Sequence, residues 1–108
     1  MASENEVRFE DGGRYFLVGY YDDNLTLPSI ETLIYLGRNL LGEAGRDERW
    51  YFQEAESFAR NGRVVPHAGR DNEDILAVPH DHLKDVLDPL RLAELLKNLA
   101  AGPGGRQR

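Results

Sequence analysis

The chain has 108 residues, no cysteine and a formal net charge of −6. That length fits one ordinary domain and excludes large barrels and paired cofactor- and substrate-binding domains. The lack of cysteine excludes a disulfide framework, a thiolate-ligated zinc site and a thiol nucleophile.

Hydrophobic residues at 41% and charged residues at 30% lie close to globular norms, so the composition predicts a packed core rather than general disorder. Met1 to Glu6 is polar and acidic and lacks the basic start and apolar run of a signal peptide. The longest apolar stretch, Tyr15 to Tyr21, falls far short of the roughly 20 residues that cross a membrane. These features predict a cytoplasmic protein that is not a membrane protein. Lysine occurs only at Lys84 and Lys97 while arginine is abundant, a bias typical of GC-rich bacterial genomes. The acidic balance argues against direct nucleic-acid binding, which needs Lys and Arg to neutralise phosphates. Arg106 and Arg108 lie in the last few residues, so the body before them is more acidic than the whole chain. Such a surface attracts a basic partner and speeds the encounter at low salt.

Val7 to Glu10 alternates apolar and polar residues, and Asp11-Gly12-Gly13 carries the turn chemistry of a hairpin. Arg14 to Tyr21 is β-branched and aromatic on both faces, which predicts a central strand closed by Asp22-Asp23-Asn24. Ile30 to Leu41 fits a strand through Ile30, Thr32, Ile34 and Tyr35, and Gly37 weighs against the helical spacing of Leu33, Leu36 and Leu40. Glu48 to Arg60 is read as a strand running into an Asn61-Gly62 hairpin turn, although Tyr51, Ala55, Phe58 and Ala59 also fit a helix capped by Asp47. Val64-Val65 and Ile75 to Val78 read as short strands, with Pro66 and Pro79 at their ends. Asp81 can cap a short helix through Leu87, with Leu83, Val86, Leu87 and Leu90 on one face. Asp88-Pro89 starts a second helix whose stripe is Leu92, Leu95, Leu96 and Leu99, stopped by Gly102. The expected fold is α+β: an antiparallel sheet of five or six strands with a C-terminal helix or helix pair packed on it. It occupies residues 6–101 as a single domain, and residues 102–108 form a disordered Gly/Pro/Arg tail.

Every Trp, Tyr and Phe lies between Phe9 and Phe58, more aromatic surface than one face of a small sheet needs. Plain core packing is the first reading of this surplus, and an exposed aromatic patch open to a partner is the alternative. Motifs for chemistry are weaker. Ser3, Ser29 and Ser57 lack a nucleophile elbow, and Gly42 to Arg46 lacks the lysine and hydroxyl of a phosphate loop. Asp71 to Asp74 lacks the register of a calcium loop. His80 and His82 could meet one ion on a strand but diverge on a helix. Glu54 and Glu56, about 7 Å apart on one strand face, have the residue types of an acid–base pair, but a chain this short leaves little room for a substrate cleft.

The sequence therefore favours an acidic, non-catalytic binding module (an inhibitor, antirepressor or adaptor) that engages a basic surface on a partner protein. Its expected contact residues are Tyr20, Tyr21, Asp22, Asp23, Trp50, Glu54 and Glu56, with aromatics as anchors and carboxylates for steering. No catalytic residue, cofactor or metal ligand is expected on this reading. The alternatives are a small-ligand or metal-binding domain using the aromatic sheet or His80 and His82, and then a small enzyme built on Glu54 and Glu56. A free sheet edge leaves homodimer formation open.

Overall fold

Arg14–Tyr20 (β1) and Pro28–Arg38 (β2) pair antiparallel in the register Arg14 with Ile34 to Tyr20 with Pro28. They are the middle of the sheet in a computed structural model that describes residues 9–67 and 74–100. Arg49–Glu54 (β3) pairs with β2, and Ile75–Pro79 (β4) with β3. Val86–Leu87 (β5) returns to the far side and pairs with Phe16 and Leu17 of β1. The order is β4-β3-β2-β1-β5, antiparallel throughout. With the helix Pro89–Ala100 (α2) packed on β1 and β5, the arrangement is α+β as expected.

The β4-to-β5 connection shapes the sheet. It is a six-residue 3-10 turn, His80–Asp85. Such a turn advances about 12 Å, whereas the two edges of a flat five-stranded sheet stand about 19 Å apart. The sheet must curl so that the turn can bridge it. Leu83, buried in the middle of the turn, plugs the concave face. Tyr15, Leu33, Tyr35, Trp50, Phe52, Val78 and Val86 complete that core. Phe9 closes its end, with its ring edge-on to Tyr15 at 4.8 Å and to Phe52 at 5.3 Å. Half of the ten aromatics are thus spent on the concave face.

The convex face holds the even-numbered side of β1 and β2 and the odd-numbered side of β3. A short helix, Ala55–Asn61 (α1), covers one part of it. Gln53 is fully buried there: its Nε2 donates to Ser57 Oγ at 2.9 Å and to Gly62 O at 3.0 Å, and its Oε1 accepts from Val64 N at 3.1 Å.

Several sequence expectations change. Phe9 and Glu10 are not a strand: Gly13 N donates to Glu10 O at 2.8 Å, and this turn folds Phe9 over the core. Val7 and Arg8 lie outside the described residues, as do residues 102–108 and the Gly102 stop. The segment 48–60 is a strand only to Glu54 and a helix from Ala55, and Asp47 lies in a 3-10 turn rather than at a helix cap. Val64-Val65 is no strand, because the Gln53 amide takes the Val64 N–H that a ladder would use. Asp81 sits inside the 3-10 turn, where Pro79 is the cap, and Leu90 is 73% exposed. Other expectations hold. Gly37 marks a β-bulge at φ +146°, which explains a glycine within a strand. Asp88 caps α2 through Oδ1, which accepts from Arg91 N at 2.8 Å. Leu92, Leu95 and Leu99 are half-buried against the sheet, while Leu96 is largely outside it.

Candidate functional site

The pairing of the sheet is unequal at its two ends. On one side β3 pairs with β2 only from Leu33 to Arg38, and on the other β5 pairs with β1 only at Phe16 and Leu17. Val18–Tyr20 and Pro28–Ile30 therefore pair only with each other among the described residues, and Glu31 and Thr32 pair only with Leu17 and Phe16. They form a two-stranded arm that reaches about 17 Å past the last β2–β3 pair. The convex face of the arm root meets α2, where Val18, Tyr20, Leu87 and Leu95 line a groove of about 190 Å³ with Lys84 and Asp85.

Asp22 organises the tip. Its carboxylate accepts from Thr26 N at 3.0 Å, from Leu27 N at 2.8 Å and from the Thr26 hydroxyl. The Thr26 hydroxyl bond, opposed by the little burial there and aided by the Leu27 and Thr26 amides, holds the Asp22 carboxyl below its ordinary value. Tyr21 N closes the hairpin on Leu27 O at 2.9 Å. Within this frame Leu25 is held at φ +59°, a left-handed conformation that costs a leucine about 1–2 kcal/mol. The strain persists because the Asp22 bonds over-determine the loop. The result is apolar display: Tyr21 is 79% exposed, Leu25 58% and Leu27 57%. Asp23 and Asn24 are exposed between them.

At the root of the arm the Glu31 and Glu54 side chains meet. That hydrogen bond, then burial, then the charges of Glu31, Asp74 and Glu56 push the Glu54 carboxyl above its ordinary value. Asp74 lies alongside: its backbone O accepts from Glu54 N at 3.0 Å, and its Oδ2 accepts from Ser57 Oγ at 3.1 Å. Glu56 is not on the strand face with Glu54. It stands in the first turn of α1, 3.4 Å from Arg60. The acid pair is thus Glu31 with Glu54, and the pairing of Glu54 with Glu56 on one strand is corrected by the helix that begins at Ala55.

Of the expected contact residues, Tyr20, Tyr21, Asp22, Asp23, Glu54 and Glu56 share one end of the sheet. Trp50 does not. It lies at the other end of β3, 5% exposed, opposite Arg38 and Val78 in the ladders. The Arg38 guanidinium lies 5.1 Å from its ring centroid, and the His80 ring 5.8 Å away. Its ring belongs to the core and is not offered to a partner. His80 and His82 face different surroundings: His80 lies against Trp50, and His82 lines a cavity of about 250 Å³ with Leu17, Leu76, Val78, Pro79 and Asp85. No group of three or more His, Asp or Glu residues is placed to hold a metal among the described residues.

Sequence reading missed Leu25, Leu27, Ile30 and Glu31. The signal for the first two was present: two leucines within a turn sequence, beside Pro28, have no strand or helix face to bury them. No helix among the described residues is long and apolar enough to cross a membrane. Comparison with protein-family models, curated proteins and solved structures gives no match for this chain.

Proposed function

We propose that the protein is an acidic, non-catalytic binding module that engages a basic surface on a partner protein through the β1–β2 arm. The observation that carries this reading is the tip itself. A strained, hydrogen-bonded loop holds Tyr21, Leu25 and Leu27 in water. Nothing among the described residues needs them exposed, and fixed apolar side chains rimmed by charge are what a docking partner buries. The charge is one-sided: Asp22, Asp23 and Glu31 lie on the arm, and no Lys or Arg occurs between Arg14 and Arg38. Glu54, Glu56 and Asp74 extend the same sign to the root.

In this mechanism the carboxylates steer the encounter and the three apolar side chains supply the desolvated contact. Asp22 acts indirectly, by fixing the loop so that little ordering is left for the moment of binding. Direct nucleic-acid binding is disfavoured by the same charges.

The test is capture from a lysate at low salt by the native protein and by a Tyr21→Ser/Leu25→Ser/Leu27→Ser variant. The reading expects a stoichiometric basic protein that salt releases and that the variant fails to hold. Equal capture by the variant, or capture indifferent to salt, overturns it.

A further inference from the structure

β3 leaves the sheet at Glu54, and among the described residues no strand pairs with the outer edge of β2 past that point. The β2–β3 ladder ends at the pair of Leu33 with Glu54. Tyr21 N donates to Leu27 O, and Tyr35 N donates to Gly13 O. The odd-numbered residues on this side of the hairpin therefore direct their backbone polar groups toward β1. By the same alternation Ile30 and Thr32 direct theirs away from β1, to the side that β3 has vacated. Where a longer β3 would lie there is a notch of about 290 Å³, lined by Ile30, Glu31, Thr32, Glu54, Ala55 and Glu56. Three of these lining residues are acids and none is basic.

We infer that this notch receives an extended basic segment of the partner protein, which adds to β2 as a strand and continues the sheet where β3 stops. The inference rests on the proposed basic partner and specifies how that partner is held. Strand addition draws affinity from main-chain hydrogen bonds and selectivity from alternate side chains. Here the backbone groups of Ile30 and Thr32 are the main-chain partners. The two faces of the incoming strand meet different chemistry. Glu31 and Glu54 share the face of Leu33, so side chains on that side meet two carboxylates. Side chains on the other side meet Ile30, which is 41% exposed, Thr32 and Ala55. The fitting segment alternates arginine or lysine with apolar β-branched residues. Arg60 already bonds Glu56 at 3.4 Å, so the pair left for the incoming cations is Glu31 and Glu54.

The probe is a short end-blocked peptide alternating arginine and valine, compared with the same peptide N-methylated on its pairing amides. Charge and side chains are unchanged by methylation, and only the ladder is lost. The unmethylated peptide should bind, slow amide exchange at Ile30 and Thr32, and bind roughly tenfold more tightly than the methylated one. Ile30→Pro removes an outward donor, which an edge position tolerates, together with the Ile30 side chain, and should weaken binding roughly tenfold beyond the loss seen in Ile30→Ala, which removes the side chain alone. Where the proline variant fails to fold, the methylated peptide still decides. Equal binding of both peptides, weakened by Tyr21→Ser/Leu25→Ser, overturns strand addition but keeps a basic partner for the tip. Protection of Ile30 and Thr32 that rises with protein concentration and no peptide overturns it in favour of a second copy. Binding of neither peptide also overturns it, and the capture experiment then decides the wider reading on its own.

Discussion

The Glu31 and Glu54 carboxyls come within hydrogen-bonding reach of each other where β3 leaves the sheet. Two carboxyls can share a hydrogen bond only while one of them holds a proton. The folded protein therefore keeps the Glu54 proton more tightly than the unfolded chain does. The stability that follows is fully present below the ordinary value of 4.5 and is lost as pH rises through the raised value of the folded state. At neutral pH the pair is a local liability. Glu31→Gln removes one charge and leaves an amide that can still donate to Glu54. Its melting temperature should exceed that of the native protein at neutral pH, and the difference should shrink to nothing in acid. Thermal melts across that pH range check this, and a difference that does not depend on pH counts against it.

Asp22 has the opposite linkage. Its carboxyl lies below the ordinary 3.8 in the folded state, so its contribution is present above that value and is lost as pH falls through the lower one. The group is exposed, so the effect is confined to the tip. Asp22→Ala should leave global stability nearly unchanged while Thr26 and Leu27 amides exchange about tenfold faster. Asp22→Asn, whose amide oxygen still accepts in an Asx turn, should fall between. Unchanged exchange at both amides in the alanine variant would show that the tip does not depend on Asp22.

These two sites differ in how far the sequence reveals them. Asp22 and Tyr21 stand out from local turn chemistry alone, as does the start of α2 at Asp88-Pro89. Gly37 reads correctly as a break in a helix pattern, although its reason, a bulge, needs the β3 register. Glu31 could not be found locally. It meets Glu54 from a neighbouring strand, and a register slip of one residue would turn it to the other face. The change from strand to helix at Ala55 is hidden for a similar reason. Trp50 and Phe52 alternate as strand residues should, while Ala55 to Ala59 also continues a helical spacing. What decides between them is the Gln53 amide, which satisfies Ser57, Gly62 and Val64 together.

Trp50 separates core from interface. Trp50→Ala should lower unfolding free energy by about 3–5 kcal/mol, as a buried large-to-small substitution does. That is a large part of the roughly 5–15 kcal/mol that such a chain has. Trp50→Phe should cost less, losing mainly the Arg38 contact. Denaturant unfolding measures both. Partner binding per folded molecule should be unchanged in either variant, and a selective loss of binding would place the ring in the interface after all.

Tyr51 reports on the loop across Gly37. Burial, then the bond to the Glu43 carboxylate, pushes its hydroxyl up to about 12 from an ordinary 10.0. That stabilisation is complete below 10.0 and is lost as pH rises through about 12. In an alkaline ultraviolet titration Tyr51→Phe should delete absorbance change at the top of the range. Loss of a step near the ordinary value instead would mean that the Glu43 bond does not form.

Gln53 gives the sharpest test of how α1 is held. Val64 N needs an acceptor and Gly62 O needs a donor, so the amide can sit only one way round. Gln53→Leu keeps much of the volume but leaves both backbone groups unpaired, at about 1–3 kcal/mol each. Gln53→Glu keeps the acceptor for Val64 and puts a second oxygen against Gly62 O, beside Ser57 and its Asp74 partner. An ionised carboxylate in that position is both buried and opposed. Its pKa in the folded state must rise, so its damage is greatest at neutral pH, recedes as pH falls through the raised value and is gone below the ordinary carboxyl range. Gln53→Leu has no proton to gain and should be equally destabilised at both pH values. Parallel pH curves for the two variants would mean that the amide network does not hold α1 to the sheet.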